Sequence, residues 1–151
     1  MRYSLIIVSA IAVFYFAACG KDKFTTDPQV KAKSVKPGTV FKGDFITFTT
    51  SFTDDEGDVQ DSVLVVYKRY DGSATLSTDT FRYTLPGGIP TARQGDIIVH
   101  LIYGEIPSNT AHIFLNQETV DREVSFGIIV LDNEGHRSNY AESGRITLKK
   151  V

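Results

Sequence analysis

The sequence predicts an all-β domain, an antiparallel β-sandwich of seven or eight strands. Three observations predict it. Apolar and polar residues alternate with period 2 through nearly every segment beyond position 29, which is how a half-buried strand reads. No stretch in that region shows a convincing 3.6-residue period. The alternating segments are separated by short turns rich in Gly, Pro, Asp and Asn. Two packed antiparallel sheets are the natural way to bury such strands, with a small closed barrel as the alternative.

The first element, Val30-Lys31-Ala32-Lys33-Ser34, alternates apolar and polar positions and stops at Pro37-Gly38. Phe45–Thr53 is rich in Thr and Phe, both favoured in strands, with Ile46, Phe48, Thr50 and Phe52 on one face. Ser62–Tyr70 is the most apolar strand and belongs at the centre of a sheet, and Asp71-Gly72 then turns the chain. Thr80–Leu85 sets Phe81, Tyr83 and Leu85 on one side and ends at Pro86-Gly87-Gly88. Asp96–Tyr103 aligns Ile97, Val99, Leu101 and Tyr103. Gly104–Asn109 is turn-like, and Ala111–Leu115 fits a short strand or a helical turn. Glu123–Leu131 is a further core strand, through Val124, Phe126, Ile128 and Val130. Arg145–Lys150 alternates Ile146 and Leu148 with Arg145, Thr147 and Lys149, the charged pattern of an edge strand that resists pairing with other molecules.

The run from Val30 to Lys150 resembles immunoglobulin-like or fibronectin-type domains of secreted bacterial proteins. The resemblance rests on a first strand ending at Pro37, on Gly43-Asp44 opening the second, and on Phe52-Thr53-Asp54 leading into an acidic turn. It rests also on Phe126–Leu131 running into Asp132-Asn133-Glu134-Gly135-His136-Arg137-Ser138-Asn139. The chain departs from antibody domains in lacking their paired core cysteines and core tryptophan.

Ahead of this domain, Met1–Ala18 has the parts of a secretory signal: Arg2 near the amino terminus, an apolar run over Tyr3–Phe16, and small residues at Ala17 and Ala18. The run falls short of the roughly 20 residues that span a bilayer as a helix. Cys19, the only cysteine, follows directly. This segment resembles the signals of bacterial lipoproteins, in their relaxed Bacteroidetes-type form with Phe16 where Leu is usual. The resemblance implies cleavage after Ala18 and acylation of Cys19. Gly20, in place of Asp, implies sorting to the outer membrane. Residues 19–28 then form a lipid-anchored tether, of which Lys21–Pro28 reaches at most about 25–30 Å when extended. Residues 29–151 form the domain.

Removal of residues 1–18 takes Arg2 with it and leaves 15 basic against 18 acidic side chains, a net charge of −3. That balance gives no basis for a nucleic-acid partner. With one cysteine, packing and not a disulfide must hold the fold.

Two site readings follow. Asp54-Asp55-Glu56-Gly57 is echoed by Asp132-Asn133-Glu134-Gly135. In immunoglobulin order these are the B–C and F–G loops, neighbours at one end of the sandwich. Asp54, Glu56, Asp58, Asp132 and Glu134 then form a candidate calcium site, since hard cations take oxygen ligands. The competing reading is turn chemistry, because Asp and Asn bond their own backbone and Gly supplies positive φ. Tyr67, Tyr70 and Tyr83 are a candidate glycan platform, sugars stacking on aromatic faces. Catalysis finds no motif: His100, His112 and His136 lack metal-ligand spacing, and no G-x-S-x-G occurs. The expected protein is a non-catalytic, lipid-anchored binding or scaffolding module of the cell envelope, with another envelope protein as its partner. The alternative is a glycan-binding accessory of a polysaccharide-uptake system.

Overall fold

The computed structural model describes residues 25–89, 91–106 and 112–151. The signal segment and Cys19 lie outside the described residues. Among the described residues ten strands form: β1 (Gln29–Lys36), β2 (Thr39–Val40), β3 (Phe45–Thr53), β4 (Ser62–Asp71), β5 (Ala74–Thr84), β6 (Gln94–Tyr103), β7 (Ile113–Leu115), β8 (Arg122–Ile129), β9 (Ala141–Glu142) and β10 (Ile146–Leu148). No helix among the described residues is long and apolar enough to cross a membrane.

The strands make two sheets. One has the order β1-β3-β6-β7; the other has the order β2-β10-β8-β4-β5, with β9 also paired to β8. This order is compatible with an immunoglobulin-like sandwich, with β1-β3-β6 in the places of A-B-E and β2-β10-β8-β4-β5 in those of A′-G-F-C-C′, while β7, parallel to β6, has no counterpart there. Pairing is antiparallel except for β2 with β10 and β6 with β7. The sheets do not close into a barrel.

Alternation along each strand sends one face inward. Ile46, Phe48, Ile97, Val99 and Leu101 of the first sheet meet Val63, Val65, Val124, Phe126 and Ile128 of the second, all essentially inaccessible to solvent. Phe126 sits at the middle, its ring stacked on Tyr67 at 5.6 Å and tilted against Phe48 at 6.3 Å. These aromatic contacts occupy the centre that a tryptophan and a disulfide fill in antibody domains.

Three details depart from the sequence-based expectation, and one open alternative is decided. β5 begins at Ala74 and not Thr80, because residues 74–79 pair with β4 across the tight turn at Gly72 while both their faces look outward. β9 is an added two-residue strand. Of the two forms the sequence allows for Ala111–Leu115, residues 113–115 take the strand, parallel to β6. The last strand, finally, is not an edge. β10 has β8 on one side and β2 on the other, because the chain crosses between sheets after Lys36 and lays Thr39 and Val40 alongside it.

The two sheets are also tied by polar bonds near their margin. The Asn139 side chain accepts from the Val30 amide at 2.8 Å and donates to the Val30 carbonyl at 2.9 Å, so one amide clamps β1 to the chain that follows β8.

Candidate functional site at the acidic loop end

The loop from β3 to β4 carries the first acidic echo, and the loop after β8 carries the second. They meet. Gln60 donates its backbone N–H to the Leu131 carbonyl at 2.8 Å, and its side chain donates to the Asp132 carbonyl at 2.8 Å. The Asn133 N–H donates to the Asp58 carbonyl at 3.2 Å. The two loops are therefore a single braced surface, the feature expected from immunoglobulin strand order.

Within it, Asp54 is fully buried. Its Oδ2 accepts from the backbone N–H groups of Gly57 at 2.7 Å and Asp58 at 3.0 Å, which folds the acidic turn back on itself. Gly57 takes φ +72° there, and a side chain would press on the backbone of Ala92 and Arg93 at 3.2–3.3 Å. Asp54 Oδ1 and Asp58 Oδ1 are both buried without a hydrogen-bond partner. Asp54, Asp58 and Asp132 each bring a carboxylate oxygen within 4.8 Å of the other two.

Asp132 is 1% exposed. It accepts from the His136 backbone N–H at 2.7 Å and contacts His136 Nδ1 at 2.7 Å. Burial alone would raise its pKa; the side-chain and backbone bonds from His136 outweigh that and hold it below the ordinary carboxylate value. The same bond to Asp132 raises the His136 pKa. His136 lacks metal-ligand spacing in the sequence; the signal for its role is the Asp-x-x-x-His spacing across a turn.

Of the five acids expected to converge, the structure brings together three. Glu56 and Glu134 are exposed and stand outside the group of Asp54, Asp58 and Asp132. Their turns use the Asp side chains internally and point the longer Glu side chains to solvent. Asp55 also faces outward, paired with Arg93, whose Nε donates to the Asp55 carbonyl at 2.5 Å.

The tyrosine platform is not formed. Tyr67, Tyr70 and Tyr83 are 6%, 8% and 4% exposed. Tyr67 stacks on Phe126 in the core, and its pKa is driven upward by burial and then by Glu118. The Arg145 guanidinium covers the Tyr70 ring at 3.7 Å. Strand tyrosines bury large apolar faces unless something holds them out, and nothing here does. His112 lies between Phe45 and His100 by ring contact, with centroids 5.1 and 5.8 Å away. His136 lies elsewhere, in the turn after β8.

No protein family model matches the chain, and no curated protein matches it. Among solved structures, an alkylpurine DNA glycosylase of Pseudomonas fluorescens aligns with 83% of this chain and 31% of its own length, at 13% identity and a TM-score of 0.47. The sporulation control protein of Bacillus subtilis aligns over 84% and 51%, at 15% identity and 0.43. A CARDB domain of Pyrococcus furiosus, solved in complex with di-metal ions, aligns over 87% and 95%, at 8% identity and 0.31. The chain thus spans about a third of the first and half of the second. At these scores and identities the likenesses carry no argument about what this chain does.

Proposed function

We propose that this protein is a lipid-anchored cell-envelope protein whose sandwich binds or scaffolds a partner and performs no chemistry of its own. One observation carries the reading. The Asp55 N–H donates to the Thr25 carbonyl at 3.2 Å, so the chain is already tied to the acidic loop end at Thr25. Only six peptide steps separate Thr25 from Cys19, at most about 20 Å of extended chain. An acylated Cys19 would therefore hold the domain against its membrane with the acidic loops nearest the anchor. The sheet faces and the opposite end would be left for a partner. Acyl chains contribute roughly 0.8 kcal/mol per buried methylene, so several on one cysteine make the attachment permanent.

His136 and Asp132 are engaged with each other as the brace of a turn. A glycan-binding role keeps no support from Tyr67, Tyr70 and Tyr83, whose rings are buried. The test is the intact mass of the chain purified from the membrane fraction of the producing bacterium. Residues 19–151 plus acyl chains are expected, and a Cys19→Ala variant should no longer be processed or fractionate with the outer membrane. A bare thiol at Cys19, or a retained leader, would overturn the proposal.

A further inference from the structure

We infer that Asp54, Asp58 and Asp132 form a binding site for one divalent cation of the calcium class, stapling the two sheets at the loop end. The three side chains come from separate supports. Asp54 follows β3 in the first sheet, whereas Asp58 precedes β4 and Asp132 follows β8 in the second. Their oxygens fall within 4.8 Å of one another. A cation with oxygen ligands at about 2.4 Å spans that distance between opposite ligands.

Proximity of acids is not by itself a site, since three carboxylates in a turn can simply organise backbone. The bonding pattern separates the two roles. In Asp54, Oδ2 does the turn work, receiving the Gly57 and Asp58 amides. Its Oδ1 receives nothing, although the residue is 0% exposed. Asp58 repeats the arrangement, with Oδ2 receiving the Asn133 amide at 3.3 Å and Oδ1 buried and unpartnered. Buried carboxylate oxygens without a donor are rare in folded proteins and call for a charge to face them. Asp132 has both oxygens engaged by His136, yet an ionised carboxylate has about four lone-pair sites and keeps capacity for a metal.

The donor chemistry selects the cation. All three groups are hard carboxylate oxygens, which suits calcium, magnesium or manganese over thiophilic metals. Calcium tolerates the irregular geometry of loop ligands, with water or backbone carbonyls completing six to eight ligands, whereas magnesium demands a near-ideal octahedron. The site differs from the one expected from the acidic echo alone, because Glu56 and Glu134 take no part in it.

The experiment uses the full-length protein in detergent, stripped with chelator, and compares thermal melts in calcium, in magnesium and in sodium chloride of matched ionic strength. Calcium at tenfold excess over its dissociation constant should raise Tm by about 5 °C, reversed by chelator, with a smaller rise in magnesium. Asp54→Asn and Asp58→Asn should each abolish the calcium-dependent rise while melting no lower than wild type without metal, since each removes one of three crowded negative charges. Glu56→Gln should keep the full rise. Calorimetric titration of calcium into the stripped protein gives the stoichiometry, one ion per chain. No calcium-specific rise in the wild type, or a full rise in both Asn variants, overturns the proposal.

Discussion

Replacing Glu142 by Gln tests how the outer face of the second sheet is held. Glu142 lies on β9, and four donors converge on its carboxylate. Lys68 Nζ reaches it at 2.6 Å, Ser125 Oγ at 2.5 Å, and the hydroxyls of Tyr70 and Tyr140 at 2.8 and 2.9 Å. Burial would raise the Glu142 pKa, but these bonds win and lower it from 4.5 to about 2. The Lys68 pKa rises to about 12 through the same bond. The carboxylate moves further than the ammonium because it also collects three hydroxyls, and the two shifts describe a shared interaction and are not added.

The folded pKa is depressed, so this stability is fully present above the unfolded value and fades as pH falls toward 2. One pKa unit corresponds to about 1.4 kcal/mol, which makes the contribution about 3 kcal/mol at pH 7 and about 1 kcal/mol at pH 3. The side chain is 27% exposed, so solvent screening trims the upper figure. Glu142→Gln turns an amide N–H₂ toward two of the four donors and should lose 2–3 kcal/mol, on the order expected for a buried charge-assisted network. Urea melts of both proteins at pH 7 and pH 3 measure it. A loss below about 0.5 kcal/mol at pH 7, or an equal loss at both pH values, would refute the reasoning.

Two further outcomes follow from packing. A Cβ at Gly127 would meet the Tyr140 ring at 2.2 Å, so Gly127→Ala should cost about 1 kcal/mol by pushing Tyr140 off Lys68 and Glu142. That cost should vanish in a Tyr140→Ala background, and its persistence in the double-mutant cycle would count against the contact. Tyr103, fully buried, donates to the Lys149 carbonyl at 2.8 Å and accepts from the Glu118 N–H at 2.9 Å. Tyr103→Phe strands both backbone groups and should cost about 2 kcal/mol in urea melts; no measurable loss would mean that water replaces the hydroxyl.

The inward faces were legible because alternation records burial directly. Phe45–Thr53 was bounded correctly from its pattern, and its four even-numbered residues from Ile46 to Phe52 are the buried ones. Where burial does not alternate, the signal disappears. Residues 74–79 lie mostly in solvent and join β5 through backbone pairing with β4, with one side-chain bond from Arg69 Nε to Ser77 Oγ at 2.7 Å. β2 and β9 have two residues each, too few for any period. The flanking of β10 by β2 depends on where a distant segment crosses between sheets.

By itself, then, the sequence determined the β class, most strand positions, their core faces, and the pairing of two acidic turns at one end. The first three follow from local alternation and turn chemistry, and the last from the strand order that the immunoglobulin resemblance implies. Only the tertiary structure decided which side chains in those turns converge and which tyrosines are exposed. At a turn, side-chain direction follows from specific backbone hydrogen bonds, as where the Gly57 and Asp58 amides hold Asp54 inward while Glu56 stays in solvent. Between sheets it follows from packing, as where Phe126 draws the Tyr67 ring into the core. Neither depends on residues adjacent in the chain alone, and so neither leaves a period to read.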